Sequence, residues 1–299
     1  MHFKNIHIII NPASGKEEPI LSYLNTVLID SGIHWDVSVT TPFRQAFDIA
    51  KWLIGKTDLI VIYGGDGSIA EVGRALYGCD TPMGIIPGGT ANVMSKELGI
   101  PQDAVDAVKL IAGGHTKVIT IDMAMANQTP FLLRVNLGIM ADMILQTNRD
   151  LKNNFGQLAY GISAIQTLVQ SAPMQYKLLI DGQEFNEEGV TLTVTNAGSI
   201  GFSDFSFLPD INVTDGYLDV ILMNNTDLTS LLRVAGTMLF QTESDVLKHW
   251  RCKQVTVTLN QPVSYICDDT EQQSSVISIK IMPRVLKVLV ADNYHAHVR

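Results

Sequence analysis

Leu59-Ile60-Val61-Ile62-Tyr63-Gly64-Gly65-Asp66-Gly67-Ser68 decides the reading of this chain. Five apolar residues without alternation predict a strand buried on both faces, as in a parallel sheet. The glycines that follow let the chain turn tightly and let a ligand approach the backbone. Residues 68–76 then show helical spacing, so the turn opens a helix N-terminus, whose free N–H groups suit an anion. Asp66 would not bind phosphate directly. It fits beside phosphate through a bridging divalent cation, or as a group that polarises an acceptor hydroxyl. The plain structural alternative is a tight strand–helix turn capped by Asp66 or Ser68.

Two more loops share this setting. Pro87-Gly88-Gly89-Thr90-Ala91-Asn92 lies between a strand at 83–86 and a helix at 91–98. Asn11-Pro12-Ala13-Ser14-Gly15-Lys16 follows a strand at 3–10. Loops after successive parallel strands lie on one carboxyl edge, where ligands bind. Thr90 as a helix cap and Asn92 as an ordinary first-turn residue are the structural alternatives. The first loop is not a Walker A loop: Ile10 stands where its first glycine belongs and Glu17 where Ser or Thr is needed. No G-x-G-x-x-G fingerprint occurs, which argues against a nicotinamide dehydrogenase.

Around these loops, residues 1–115 alternate strands with helices at 20–28, 46–54 and 104–112, the last closed by Gly113-Gly114. This predicts an α/β domain with a parallel sheet and helices on both faces. Beyond residue 116 strands dominate: 116–126, 130–137, 175–180, 191–195, 217–223, 254–259, 263–267, 276–281 and 286–290. Asp181-Gly182 reads as a hairpin turn. The expectation is an α/β domain over 1–125, with the tail 286–299 packing back on it, and a β-rich antiparallel sandwich over 126–285 as a second domain.

Composition narrows the class. Of 299 residues, 46% are hydrophobic and 17% charged, which excludes a disordered chain and a coiled coil. A net charge of −9 argues against general nucleic-acid binding and against a uniformly basic membrane face. Cys79, Cys252 and Cys267 match no zinc or disulfide pattern and read as apolar residues in a reducing compartment. The seven histidines show no metal-ligand spacing. No apolar run reaches 18 residues and no leader-like segment opens the chain, so a cytoplasmic protein is expected. Leu158, Ile162, Ile165, Leu168 and Val169 mark one apolar helix face, for packing on the second domain or for a membrane.

In this order the three loops resemble the diacylglycerol kinase catalytic-domain superfamily, the bacterial lipid kinases with sphingosine kinases as relatives. The likeness includes Glu71, Leu98-Gly99-Ile100-Pro101, Asp122, a Gly-x-x-x-Tyr-like helix at 154–160 and Asp215-Gly216-Tyr217-Leu218-Asp219. It implies ATP bound in a cleft between the domains, with Asn11, Ser14, Lys16, Thr40, Gly64, Gly65, Asp66, Gly67, Ser68, Gly89 and Thr90 around it. Asp66 and Asp122 would organise the γ-phosphate and Mg2+. The carbonyls of Asn212 and Tyr217, with the Asp215 carboxylate, would hold a structural cation. A plain hairpin turn is the alternative for Asp215-Gly216.

The family's general base comes from a late D-G-E motif, and here the chain departs from it, reading Cys267-Asp268-Asp269-Thr270-Glu271. One register takes Asp269-Thr270-Glu271 as the counterpart, which keeps Glu271 as the base with Asp269 beside it. The other, counted back from Pro283, places Asp268 at the aspartate and Thr270 at the glutamate. The first is preferred because it keeps a proton acceptor. The resemblance implies a lipid substrate and transient, peripheral contact with the inner face of the membrane, and it admits a homodimer. An NAD kinase-like enzyme and a non-catalytic nucleotide- or lipid-binding protein remain the alternative readings.

Overall fold

The computed structural model describes residues 3–15, 17–138, 173–198, 211–224 and 247–295. It divides into two compact units. The first comprises Met1–Met123, Ala197–Gly216 and Met282–Arg299; the second comprises Ala124–Asn196 and Tyr217–Ile281.

In the first unit, strands β1 (Asn5–Ile10), β2 (His34–Val39), β3 (Leu59–Gly64) and β4 (Met83–Pro87) alternate with helices α1 (Ile20–Leu28), α2 (Ala46–Leu53) and α3 (Asp66–Ala75). The strands are parallel in the order β2-β1-β3-β4. Every residue of β3 and β4 is buried, so both tolerate unbroken apolar sequence. Right-handed crossovers fix the helices. The step from β1 to β2 runs one way along the sheet, and those from β2 to β3 and β3 to β4 run the other way. Hence α1 lies on one face, packed against α5 (Ala104–Ala112), and α2 lies on the other, packed against α3. The direction changes at β1, so the loops after β1 and β3 part to opposite faces and leave a crevice at their carboxyl ends. The end of β14 (Thr270–Ala291) joins β4 in parallel, pairing Val288 with Met83.

The second unit is antiparallel. Strands β7 (Arg134–Gly138), β10 (Thr191–Thr195), β11 (Leu218–Met223), β12 (Leu247–Cys252) and β13 (Gln254–Cys267) take the order β12-β11-β10-β7-β13. β8 (Met174–Ile180) and β9 (Gln183–Gly189) form a hairpin on β13. Asp181 and Gly182 both have positive φ there, 45° and 89°, as a two-residue turn between twisted strands requires. Alternate residues of β8, Tyr176, Leu178 and Ile180, enter one core with Leu192, Val220, Val257 and Ile279.

The β-rich antiparallel second domain and the parallel, helix-covered first sheet are as expected. Two strands read separately at 254–259 and 263–267 form a single strand, β13, with a register shift between Thr258 and Val263. The expected strand at 130–137 is interrupted between β6 (Thr129–Phe131) and β7.

Candidate functional site

The site is built on the carboxyl ends of β1, β3 and β4. At the β3 end, Gly65 is the N-cap of α3 and no side chain caps the helix. The first-turn amides therefore open toward the crevice, with Asp66 as the one acid in that turn. Asp66 accepts the Met94 N–H through Oδ1 at 3.2 Å, which ties α3 to α4 (Val93–Glu97).

The glycines are here for space. A Cβ on Gly89 would lie 2.6 Å from the Gly65 Cα, and one on Gly64 would lie 2.7 Å from the Ser68 Cβ. Gly88 lies against the Tyr63 ring, where a Cβ would sit 3.0 Å from it. The loops after β3 and β4 thus touch backbone to backbone. Asn92 closes the second loop on itself: its Oδ1 accepts the Gly89 N–H at 2.9 Å and its Nδ2 donates to the Gly89 carbonyl at 3.0 Å. It does so from a left-handed conformation, φ 53°, as the N-cap of α4. The helix therefore begins at Val93, and Thr90 is exposed and does not cap it.

The β1 loop joins this pair. Asn11 Nδ2 donates to Ser68 Oγ at 2.7 Å across the crevice, and the Asn11 N–H donates to the Tyr63 carbonyl at 3.0 Å. A Cβ on Gly15 would lie 3.4 Å from Thr90 Oγ1, and one on Gly64 would lie 3.4 Å from Ser14 Oγ. Ser14 Oγ is buried and finds no hydrogen-bond partner among the described residues. Tyr63, beneath Gly88, donates to Glu18 at 3.3 Å, and burial together with Glu18 pushes its phenol up to about 12. Asn11, Ser14, Gly15, Gly64, Gly65, Ser68, Gly89 and Thr90 therefore come together. Thr40 follows β2, its N–H donating to the Ile10 carbonyl at 2.9 Å at the end of β1. Lys16 lies outside the described residues, as does the helix expected at 154–160.

An anionic phosphate chain fits this arrangement on three counts. The α3 N-terminus has no side-chain cap, the Ser14 hydroxyl is orphaned, and the glycine-lined backbone leaves room for close approach. Magnesium would be held by Asp66 beside that chain.

Asp122 is fully buried, and its described contacts are to backbone. Oδ2 accepts the Gly216 N–H at 2.7 Å and Oδ1 the Arg284 N–H at 2.8 Å. Burial raises its carboxyl above the ordinary range, while those two amides and the Arg284 charge oppose the rise. Its visible work is to hold residues 213–216, where Asn212 Oδ1 accepts from the N–H and hydroxyl of Thr214 at 3.0 and 2.9 Å. Asp215 donates its N–H to the Asn212 carbonyl at 3.5 Å, a tight turn. The Tyr217 ring lies under Arg251, 4.3 Å from its centroid.

In the second unit Cys267 pairs with Thr270, so Asp268 and Asp269 form a two-residue turn. Asp268 sits at φ 52°. Its carboxylate accepts the N–H groups of Leu132, Leu133 and Arg134 at 2.8, 2.8 and 3.0 Å. These contacts explain the interruption between β6 and β7. Asp268 and Asp269 are thus the turn residues, and Thr270 and Glu271 begin β14. Asp269 and Glu271 are both exposed, and strand alternation sends Glu271 to the opposite face from Thr270. The clamp was invisible in the sequence because Asp268 and its three partners lie 134–136 residues apart. Glu71 was also unassigned: its Oε2 accepts the Phe47 N–H at 3.2 Å, in the first turn of α2.

The chain thus joins a parallel α/β unit with a glycine-lined crevice at its carboxyl edge, a setting that suits an anion, to an antiparallel β unit. Residues 5–124 match the model of the diacylglycerol kinase catalytic domain. Residues 134–290 match that of the YegS C-terminal NAD kinase beta sandwich-like domain. The chain is 30% identical to the diacylglycerol kinase of Bacillus subtilis (strain 168) over 242 residues, 79% of this chain and 79% of that protein. An uncharacterized protein of Synechocystis sp. is 29% identical over 306 residues, 95% of this chain and 70% of that one. A solved structure from Bacillus anthracis str. Sterne, provisionally assigned as a diacylglycerol kinase, superposes with TM-score 0.82 at 25% identity, covering 97% of this chain and 98% of that one. The chain belongs to the diacylglycerol kinase catalytic-domain family.

Proposed function

We propose that this chain is an ATP-dependent lipid kinase that phosphorylates the hydroxyl of diacylglycerol or a related lipid. The observation that carries the nucleotide half is the orphaned Ser14 hydroxyl beside the uncapped N-terminus of α3. The lipid half is supported by relatives named diacylglycerol kinase that match over most of the chain.

The α3 amides, Asn11, Ser14, Thr40 and Thr90 hold the phosphate chain, and Lys16 adds a positive charge to it. Magnesium, when bound at Asp66, neutralises charge on the transferring phosphoryl group. The acceptor oxygen bonds to the γ-phosphorus as the bond to the β-bridging oxygen breaks and ADP leaves. The acceptor proton passes to a carboxylate of the Asp268–Glu271 turn. Glu271 is the assigned acceptor, and Asp269 is the other exposed acid there. Asn212, Asp215 and Tyr217 are assigned to a structural cation, with Asp122 bracing their loop.

Transfer from γ-labelled ATP to diacylglycerol in mixed micelles tests these roles. Asp66→Asn is expected to abolish transfer, and Glu271→Gln to lower it about 100-fold or more with nucleotide binding intact. Loss in Asp269→Asn with Glu271→Gln unaffected would move the base into the turn. The irregular Asp268–Glu271 motif, with Thr270 where the family has glycine, motivates a second reading, a nucleotide- or lipid-binding protein without transfer. Nucleotide binding with no transfer to any lipid would establish that reading.

A further inference from the structure

The described residues contain two strongly exposed large aromatics, Phe43 at 99% and Trp52 at 59%, and both lie in one short segment around α2. Phe43 is the tip of the loop between β2 and α2. That loop is rigid: Thr41 and Arg44 exchange backbone hydrogen bonds of 3.0 and 3.1 Å, and the Phe43 N–H donates to Thr41 Oγ1 at 3.3 Å. The ring is therefore held out in water by a closed turn. α2 buries Ala46, Ile49, Ala50 and Leu53 on its inner side. Its outer side presents Asp48 and Lys51, flanked by Phe47 and Trp52, with Arg44 exposed in the loop before it. Each flanking ring carries an ammonium group: Lys51 Nζ lies 5.6 Å from the Phe47 centroid and Lys56 Nζ lies 3.6 Å from that of Trp52. Val39, at the end of β2, adds a further exposed apolar side chain.

Charge separates this face from the rest of the protein. Residues 39–56 hold three basic residues, Arg44, Lys51 and Lys56, and one acid, Asp48, a net +2 in a chain of −9. Exposed rings with cations beside them match the boundary between lipid headgroups and acyl chains. There the ring enters the apolar layer while the ammonium group reaches phosphate. An anionic leaflet complements this local charge. From these observations the geometry points to the β2–α2 loop and the outer face of α2 as a docking surface for an anionic phospholipid bilayer. The surface deepens the lipid-kinase reading, on which its purpose rests, but its binding can be measured without nucleotide.

The test is co-sedimentation of the full chain with vesicles of phosphatidylglycerol and phosphatidylcholine, or of phosphatidylcholine alone, with no ATP present. Binding is expected to the anionic vesicles, with a blue shift in tryptophan emission that Trp52→Phe removes. Partition should fall about tenfold or more in Phe43→Ser/Trp52→Ser, and also in Lys51→Gln/Lys56→Gln. Unchanged thermal unfolding, and unchanged transfer to a water-soluble short-chain diacylglycerol, would show that these variants fold and keep the catalytic apparatus. Equal binding by wild type and variants would overturn the proposal. So would the absence of vesicle binding, or a concentration-dependent dimer that the same substitutions abolish. A protein that docks but transfers no phosphate would fail the kinase reading and leave the docking surface standing.

Discussion

Gly65 and Gly89 meet backbone to backbone: a Cβ on Gly89 would stand 2.6 Å from the Gly65 Cα. The nearest atom belongs to the main chain, so no side chain can move aside to relieve the contact. Gly89→Ala is expected to cost about 1–3 kcal/mol of stability as an overpacked substitution. It should also weaken nucleotide binding by pushing the two loops apart. Chemical denaturation and binding of a fluorescent ATP analogue, measured on the same variant, check both effects.

Ser14→Ala should separate stability from binding. Its hydroxyl is buried without a partner among the described residues. Removing it should leave the unliganded protein unchanged or more stable by up to about 1 kcal/mol. Loss of one charge-assisted hydrogen bond should weaken ATP binding about 10- to 100-fold. A destabilised protein with unchanged affinity would assign the hydroxyl to the fold.

Asp268 is expected to behave as a structural clamp. Removing its carboxylate leaves the amides of Leu132, Leu133 and Arg134 without their acceptor. Asp268→Ala should cost about 2–4 kcal/mol, read from the shift in denaturation midpoint. Asp268→Asn, which keeps one acceptor oxygen, should cost less.

Thiol chemistry tests the cores. All three cysteines are free, and Cys252 and Cys267 are buried. Burial pushes the Cys252 thiol from 9.0 up to about 12, with Asp181 and Asp219 adding to the rise. An upward shift reduces the reactive thiolate, here about a thousandfold at pH 8. Titration of the native protein with a thiol reagent should therefore label Cys79 first, with Cys252 reacting only on unfolding.

How much the sequence revealed depended on how local the cause was. β3 and its loop were legible because an unalternated apolar run and three glycines state burial and turn directly. β12 was not foreseen: Leu247–Cys252 has mixed polar and apolar character, and its pairing with β11 supplies the order. β13 was read as two strands because Gln261-Pro262 interrupts its pattern, and the chain absorbs that break as a register shift. The three glycine-rich loops were legible as loops, yet Asn92 looked like a helix residue because its left-handed turn depends on its bonds to Gly89. The base motif was the hardest to place. Only the pairing of Cys267 with Thr270 locates the turn at Asp268-Asp269.

The most direct test of the central claim is where the phosphate goes. The purified chain is incubated with γ-labelled ATP, magnesium, diacylglycerol in mixed micelles and NAD together, and the label is partitioned between organic and aqueous phases. A lipid kinase places label in the organic phase as phosphorylated lipid, with none in NADP, and Asp66→Asn removes the signal. Label entering NADP and not the lipid would contradict the account.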